Sequence, residues 1–230
     1  MSEEMLFDMS SISSDQLSNF VTVAKTGNFK NEYPFSRIKF SPNKKIRFAL
    51  LTSDVIVLKR HYMEGLNYFL CTGGKCCEVA KKQGTPCYIY PAVLYTQCDD
   101  KGKLSGDEIE VRVLIANKEM YNNLVAFNEI KGSIVSYDLL GVQDNTTGRF
   151  PKTTFFEAGA ISWKTPENVA KVKEYFEKYK DKLIESVAKV VSDEKLDEIL
   201  NAQKEEGSCE LPGTVTAETS DEIDKIFGLN

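Results

Sequence analysis

Between residues 108 and 116 the chain alternates, with Ile109, Val111, Val113 and Ile115 at one parity and Glu110 and Arg112 at the other. Successive side chains of a strand point to opposite faces, so this pattern specifies a half-buried β-strand and commits the surrounding chain to a sheet. Asn117 follows at once as a helix cap, with Met120, Leu124 and Phe127 on one stripe and Gly132 closing a helix that runs to about Ile130.

Other strands are legible around this pair. Residues 46–51 and 54–63 read as strands joined by a turn at Thr52 and Ser53, with β-branched Val55, Ile56 and Val57 in the second. Residues 87–97 form another, which Pro91 places at a bulge or an edge. Two more, near 136–143 and 152–158, flank the turn DNTTGRF. Setting the first strand aside, the order strand, strand, strand, helix, strand, strand is that of an OB-fold. The expected fold is therefore mainly β within an α+β chain: an OB-like five-stranded barrel over residues 25–165, interrupted by a Cys-rich knuckle.

An arm of residues 1–24 precedes the barrel, and helices over 166–206 follow it. Thr165 caps the first, opened by Pro166 and Glu167, with an apolar stripe of Val169, Val172, Phe176, Tyr179, Leu183, Val187 and Val190. Ser192 starts the second, and residues 207–230 read as a flexible acidic tail.

The net charge of -5 conceals a segregation: -4 over residues 1–24, +8 over 25–82, -1 over 83–192 and -8 over 193–230. A positive stretch and an acidic tail on one chain point to a polyanionic partner with an internal competitor. Lys44, Lys45, Arg47, Lys59, Arg60 and Arg112 supply charge, and Tyr62, Tyr88, Tyr90 and Tyr95 supply rings on which bases stack. By alternation Tyr88 and Tyr90 share a face opposite Ile89 and Val93, so they are expected to be presented together. The tail's Asp221, Glu222, Asp224 and Phe227 form a partner-docking motif.

Catalytic patterns are missing: there is one histidine, His61, and no phosphate-binding Gly-rich loop or nucleophile elbow, so the chain is read as no enzyme. Five of the six cysteines fall between Cys71 and Cys98. His61, Cys71, Cys76 and Cys87, with Cys77 as the alternative to Cys76 because consecutive side chains diverge, are the candidate ligands of one structural zinc ion. No apolar run approaches a membrane span, and acidic Glu3, Glu4, Asp8 and Asp15 stand where a signal peptide carries bases, so an intracellular protein is expected.

HYMEGLNYFLCTGGKCCEVAKKQGTPCYIYPAVLYTQCD, EIEVRVLIANKEMYNNL, YDLLGVQD and KTTFFEAG together resemble the core of phage-encoded single-stranded DNA-binding proteins of the OB-fold type. The resemblance covers about residues 45–165. It implies a protein that coats exposed strands in phage replication, recombination and repair, self-associates on them, and acts in the cytoplasm of the infected bacterial host. Related T-even helix-destabilising proteins bind zinc through one His and three Cys, and the same ligand order occurs here at other spacings. Family members end in an acidic tail that recruits replication and recombination proteins, a pattern SDEIDKIFGLN fits. The alternative is an OB-type accessory factor that holds a polymerase or nuclease.

Overall fold

The computed structural model describes residues 34–42, 44–144 and 151–207. The tail residues Asp221, Glu222, Asp224 and Phe227 lie outside them. Seven strands form one antiparallel sheet: β1 (Ile46–Leu50), β2 (Ile56–Met63), β3 (Asn67–Leu70), β4 (Thr85–Tyr95), β5 (Ile109–Ala116), β6 (Tyr137–Asp144) and β7 (Lys152–Ala160). The order is β3-β2-β4-β1-β6-β7, with β5 on the far side of β4. Among the described strands β5 pairs only with β4 and β7 only with β6, so the fold is mainly antiparallel β with helices, as expected, but an open seven-stranded sheet stands in place of the expected OB-like five-stranded barrel.

Residues 51–55 are not the turn that Thr52 and Ser53 suggest. β1 and β2 both run antiparallel to β4, β1 pairing with residues 92–94 and β2 with 85–89, so the chain keeps its direction through a five-residue jog. Pro91 sits opposite that jog, in a central strand rather than at an edge. Its cross-strand partner Val113 sends its own N–H and C=O outward to Ser36 and Ile38, at 3.0 and 2.9 Å. The position on β4 that needs no N–H is thus where proline stands, and its carbonyl still accepts Leu51 N at 3.0 Å.

Both faces of the sheet are covered. Odd-numbered Cys87, Ile89, Val93 and Tyr95 of β4 join Val111 and Val113 of β5 in one core. That core is closed by Trp163 and by Val172 and Phe176 of a helix over Pro166–Tyr179 (named α3 below). Even-numbered Tyr90 and Ala92 join Phe48, Leu50, Leu114, Leu139 and Phe155 in a second core. This one lies under Met120 and Leu124 of α2 (Lys118–Lys131), whose cap Asn117 accepts Met120 N at 2.9 Å. Each fully buried Leu, Ile or Phe in these layers contributes about 1.5–3 kcal/mol.

Helix α3 is capped by Thr165, as expected, but it stops at Tyr179, short of the predicted stripe. Leu183 and Val187 still reach the core, while Lys189 must be extended because its N–H donates to Tyr68 O and its carbonyl accepts Leu70 N at the β3 edge. A third, smaller core of Phe69, Cys76, Val79 and Leu196 joins the β2–β3 hairpin to α1 (Lys75–Val79) and α4 (Asp193–Gly207). No helix among the described residues is long and apolar enough to cross a membrane.

Candidate metal centre and basic cleft

His61 of β2, Cys71 just past β3, and Cys76 and Cys77 of α1 bring four ligand atoms within 4.8 Å of one another. The sulfurs of Cys71 and Cys77 are 3.5 Å apart, those of Cys71 and Cys76 3.8 Å, and Cys77 Sγ is 3.7 Å from His61 Nε2. A tetrahedral zinc centre with ordinary bond lengths has edges of about 3.8 Å between sulfurs and about 3.6 Å from sulfur to nitrogen, so the spacing fits a metal. His61 is buried at 1% exposure, its Nδ1 has no hydrogen-bond partner among the described residues, and its ring packs 5.2 Å from that of Phe69. Burial first, and then Lys82, hold the imidazole below its ordinary range, in the neutral form that ligates. Thr72 N donates to Cys76 Sγ at 3.1 Å, and that thiol reaches the Gly73 carbonyl at 3.1 Å.

Two sequence expectations change here. Cys87 does not belong to the group. It faces Leu58 across the β2–β4 register, and cross-strand partners share a face, whereas His61 is three residues beyond Leu58 and so points to the other side. Burial accordingly pushes the Cys87 thiol up, and it packs in the first core. Its place is taken by the second member of the adjacent pair. Cys76 and Cys77 both face the cluster because they lie on a helical turn and Cys71 approaches both sulfurs.

The opposite face of the same hairpin carries a different chemistry. Tyr62 and Tyr68 pair across β2 and β3 with ring centroids 5.2 Å apart, and both are exposed. Arg60 Cζ sits 3.9 Å from the Tyr68 ring centre, and Arg37 Cζ, arriving from the strip that pairs with β5, sits 5.8 Å away. Arg37 thus brings the β5 edge within a side chain's reach of β3. Between them lies a cleft of about 560 Å³ lined by Arg37, Lys39, Arg112, Lys189 and Tyr68, with Glu185 as the one carboxylate that the described residues place in its wall. Burial pushes that carboxyl up.

The predicted binding residues therefore separate. Arg60, Arg112 and Tyr62 are at or beside the cleft, with Arg112 also bonded to Glu110. Lys59 is exposed on the metal-cluster side of β2, and Lys44 and Lys45 are exposed at the far end of β1, Lys44 3.9 Å from Asp100. Tyr90 and Tyr95 are buried at 4% and 2% exposure and offer no ring face to a base. Tyr88 does share a face with Tyr90, as alternation requires, but α2 covers it: Tyr88 stacks on Tyr121 at 4.0 Å and 9°. The physical reason is that β4 is central and packed on both faces, which the pattern of one strand cannot reveal. Arg47 is likewise turned inward, to Asp138.

Tyr68, Arg37, Lys39 and Lys189 line the cleft although none was among the predicted binding residues. Tyr68 lies on β3, a four-residue strand, NYFL, too short to show alternation, which follows the tight turn at Gly65, where φ is +83°. No family model matches the chain, and neither a curated protein nor a solved structure matches it.

Proposed function

We propose that the chain is a non-enzymatic single-stranded DNA-binding protein serving phage DNA replication, recombination and repair. The observation that carries this reading is the cleft: an exposed Tyr68 ring flanked by Arg37 and Arg60, in a wall that holds four cations and one carboxylate. Single-strand binders combine a positive track for phosphates with aromatic rings that stack bases without regard to sequence. The approach of the β5 edge to β3 supports an OB-type ancestry for the open sheet. His61, Cys71, Cys76 and Cys77 would hold one zinc ion, which with four protein donors would play a structural part, tying the hairpin to α1. The tail motif with Asp221, Glu222, Asp224 and Phe227 recruits replication and recombination proteins.

A fluorescence titration of the full chain with single-stranded DNA, duplex DNA and RNA across a salt series tests the reading. Four phosphate contacts predict a slope of log affinity on log salt of about -3 for a single strand. No binding at low salt, or affinity indifferent to salt, overturns it. Metal emission from purified protein should give one zinc per chain.

A further inference from the structure

Among the cysteines of the described residues, Cys71 and Cys77 stand apart in combining proximity with access. Their sulfurs are 3.5 Å apart and both residues are partly exposed. Cys76 and Cys87 are buried at 1% and 3%, and Cys98 turns its thiol to the Tyr95 carbonyl. A disulfide needs about 2.05 Å between sulfurs, so closure asks for about 1.5 Å of movement from two short side chains. We propose that Cys71 and Cys77 form a peroxide-responsive pair that closes to a disulfide and thereby disarms the Cys/His cluster.

The chemistry balances with hydrogen peroxide as oxidant. One sulfur attacks a peroxide oxygen: an S–O bond forms, the O–O bond breaks, and the sulfur becomes a sulfenic acid while the departing hydroxide takes a proton to leave as water. The second sulfur attacks the first: an S–S bond forms, the S–O bond breaks, and the hydroxide leaves with the second proton as another water. Two thiols give up two electrons and two protons, and one peroxide becomes two waters. In the metal-loaded protein both sulfurs start as thiolates and solvent supplies the protons. A disulfide sulfur is no thiolate donor, so two of the four ligands are lost.

The pair also sits where it can be felt in the cleft, a consequence that rests on the nucleic-acid reading. Cys71 N donates to Lys59 O at 2.8 Å, extending the ladder in which Arg60 opposes Leu70 and Tyr62 opposes Tyr68. Drawing Cys71 toward α1 therefore pulls on the strand end that presents Arg60 and Tyr68.

The test uses the full chain treated with stoichiometric peroxide and digested without reduction. The expected result is a loss of about 2 Da mapping to a Cys71–Cys77 link and reversed by dithiothreitol, with one zinc released to a chromogenic chelator. Cys98→Ser should leave the link intact. A link mapping to any other pair, or oxidation to sulfinic acid without a link, overturns the proposal. The mapping decides it whether or not the protein binds oligonucleotides. If the reduced protein binds them, the oxidised form should bind at least about fivefold more weakly, the lower end for coupled sites.

Discussion

Arg47 and Asp138, 91 residues apart, form an ion pair inside the sheet in which Arg47 Nε and Nη2 both donate to Asp138 Oδ2, at 3.1 and 2.7 Å. Asp138 is wholly buried and also receives the Tyr95 hydroxyl on Oδ1 and the Ser162 hydroxyl on Oδ2, the latter at 2.6 Å. The carboxylate thus fastens β1, β4, β6 and the segment after β7 at one point.

Removing one charge strands the other. Asp138→Ala should cost about 3–5 kcal/mol in denaturant unfolding, and replacing Arg47 and Asp138 together by apolar residues of similar volume should cost much less. Arg47→Met should lower stability without changing the salt slope of oligonucleotide binding. A loss below about 1 kcal/mol in Asp138→Ala would show that the pair contributes little beyond its own desolvation.

Alkaline pH should unfold the protein through its buried tyrosines. Burial, then contact with Tyr121 and Tyr88, raises Tyr90, and burial, then the bond to Asp138, raises Tyr95. The folded state therefore keeps both protons at a pH where the unfolded chain, near the ordinary value of about 10, has lost them. The stability they contribute is complete below about pH 10 and falls as pH rises further, by up to about 1.4 kcal/mol per pH unit for each residue. Urea midpoints at pH 9 and pH 11 measure this, and Tyr90→Phe should flatten the decline. A midpoint unchanged over that range would contradict the assignment.

Much of this arrangement was legible because strand parity is a local property. The alternation of Ile109, Val111 and Val113, the caps Asn117 and Thr165, and the common face of Tyr88 and Tyr90 all stand. What one strand cannot announce is what covers it. Whether the face of Tyr88 and Tyr90 meets solvent or α2 depends on a helix that begins 30 residues after Tyr88 and folds back over it. His61, Cys71, Cys76 and the alternative Cys77 come together, and one predicted ligand failed for a related reason: Cys87 lies near them in sequence, but its register with Leu58 sets it on the other face from His61. That register is fixed by long-range pairing, not by spacing.

Binding variants should separate stacking from charge. Tyr68→Ala should weaken oligonucleotide affinity about 5- to 150-fold, the equivalent of one lost base stack, at every salt concentration. Arg37→Ala should instead reduce the salt slope by about 0.7, as the loss of one phosphate contact requires. Tyr90→Phe keeps the buried ring and should leave affinity unchanged. Equal losses in Tyr68→Ala and Tyr90→Phe would move the binding surface away from the cleft.

Gly84 gives the most selective test of the metal centre. Its backbone takes no left-handed conformation, so alanine would be free of strain but for what it meets: a Cβ there would lie 2.6 Å from Cys71 Cβ and 2.8 Å from Cys71 Sγ. Cys71 cannot retreat easily, because its N–H is bonded to Lys59 O and its sulfur already touches those of Cys76 and Cys77. Lys59 Cβ, 3.1 Å from the same point, blocks the other direction. Gly84→Ala should therefore displace one ligand while leaving all four in the chain, and zinc affinity in competition with a chromogenic chelator should fall by about 10- to 100-fold, as for lost supporting contacts elsewhere. Cys87→Ala, altered on the other face of the sheet, should keep one zinc per chain. Full affinity in Gly84→Ala would remove Cys71 from the ligand set, and loss of zinc in Cys87→Ala would restore the spacing-based assignment that the register argues against.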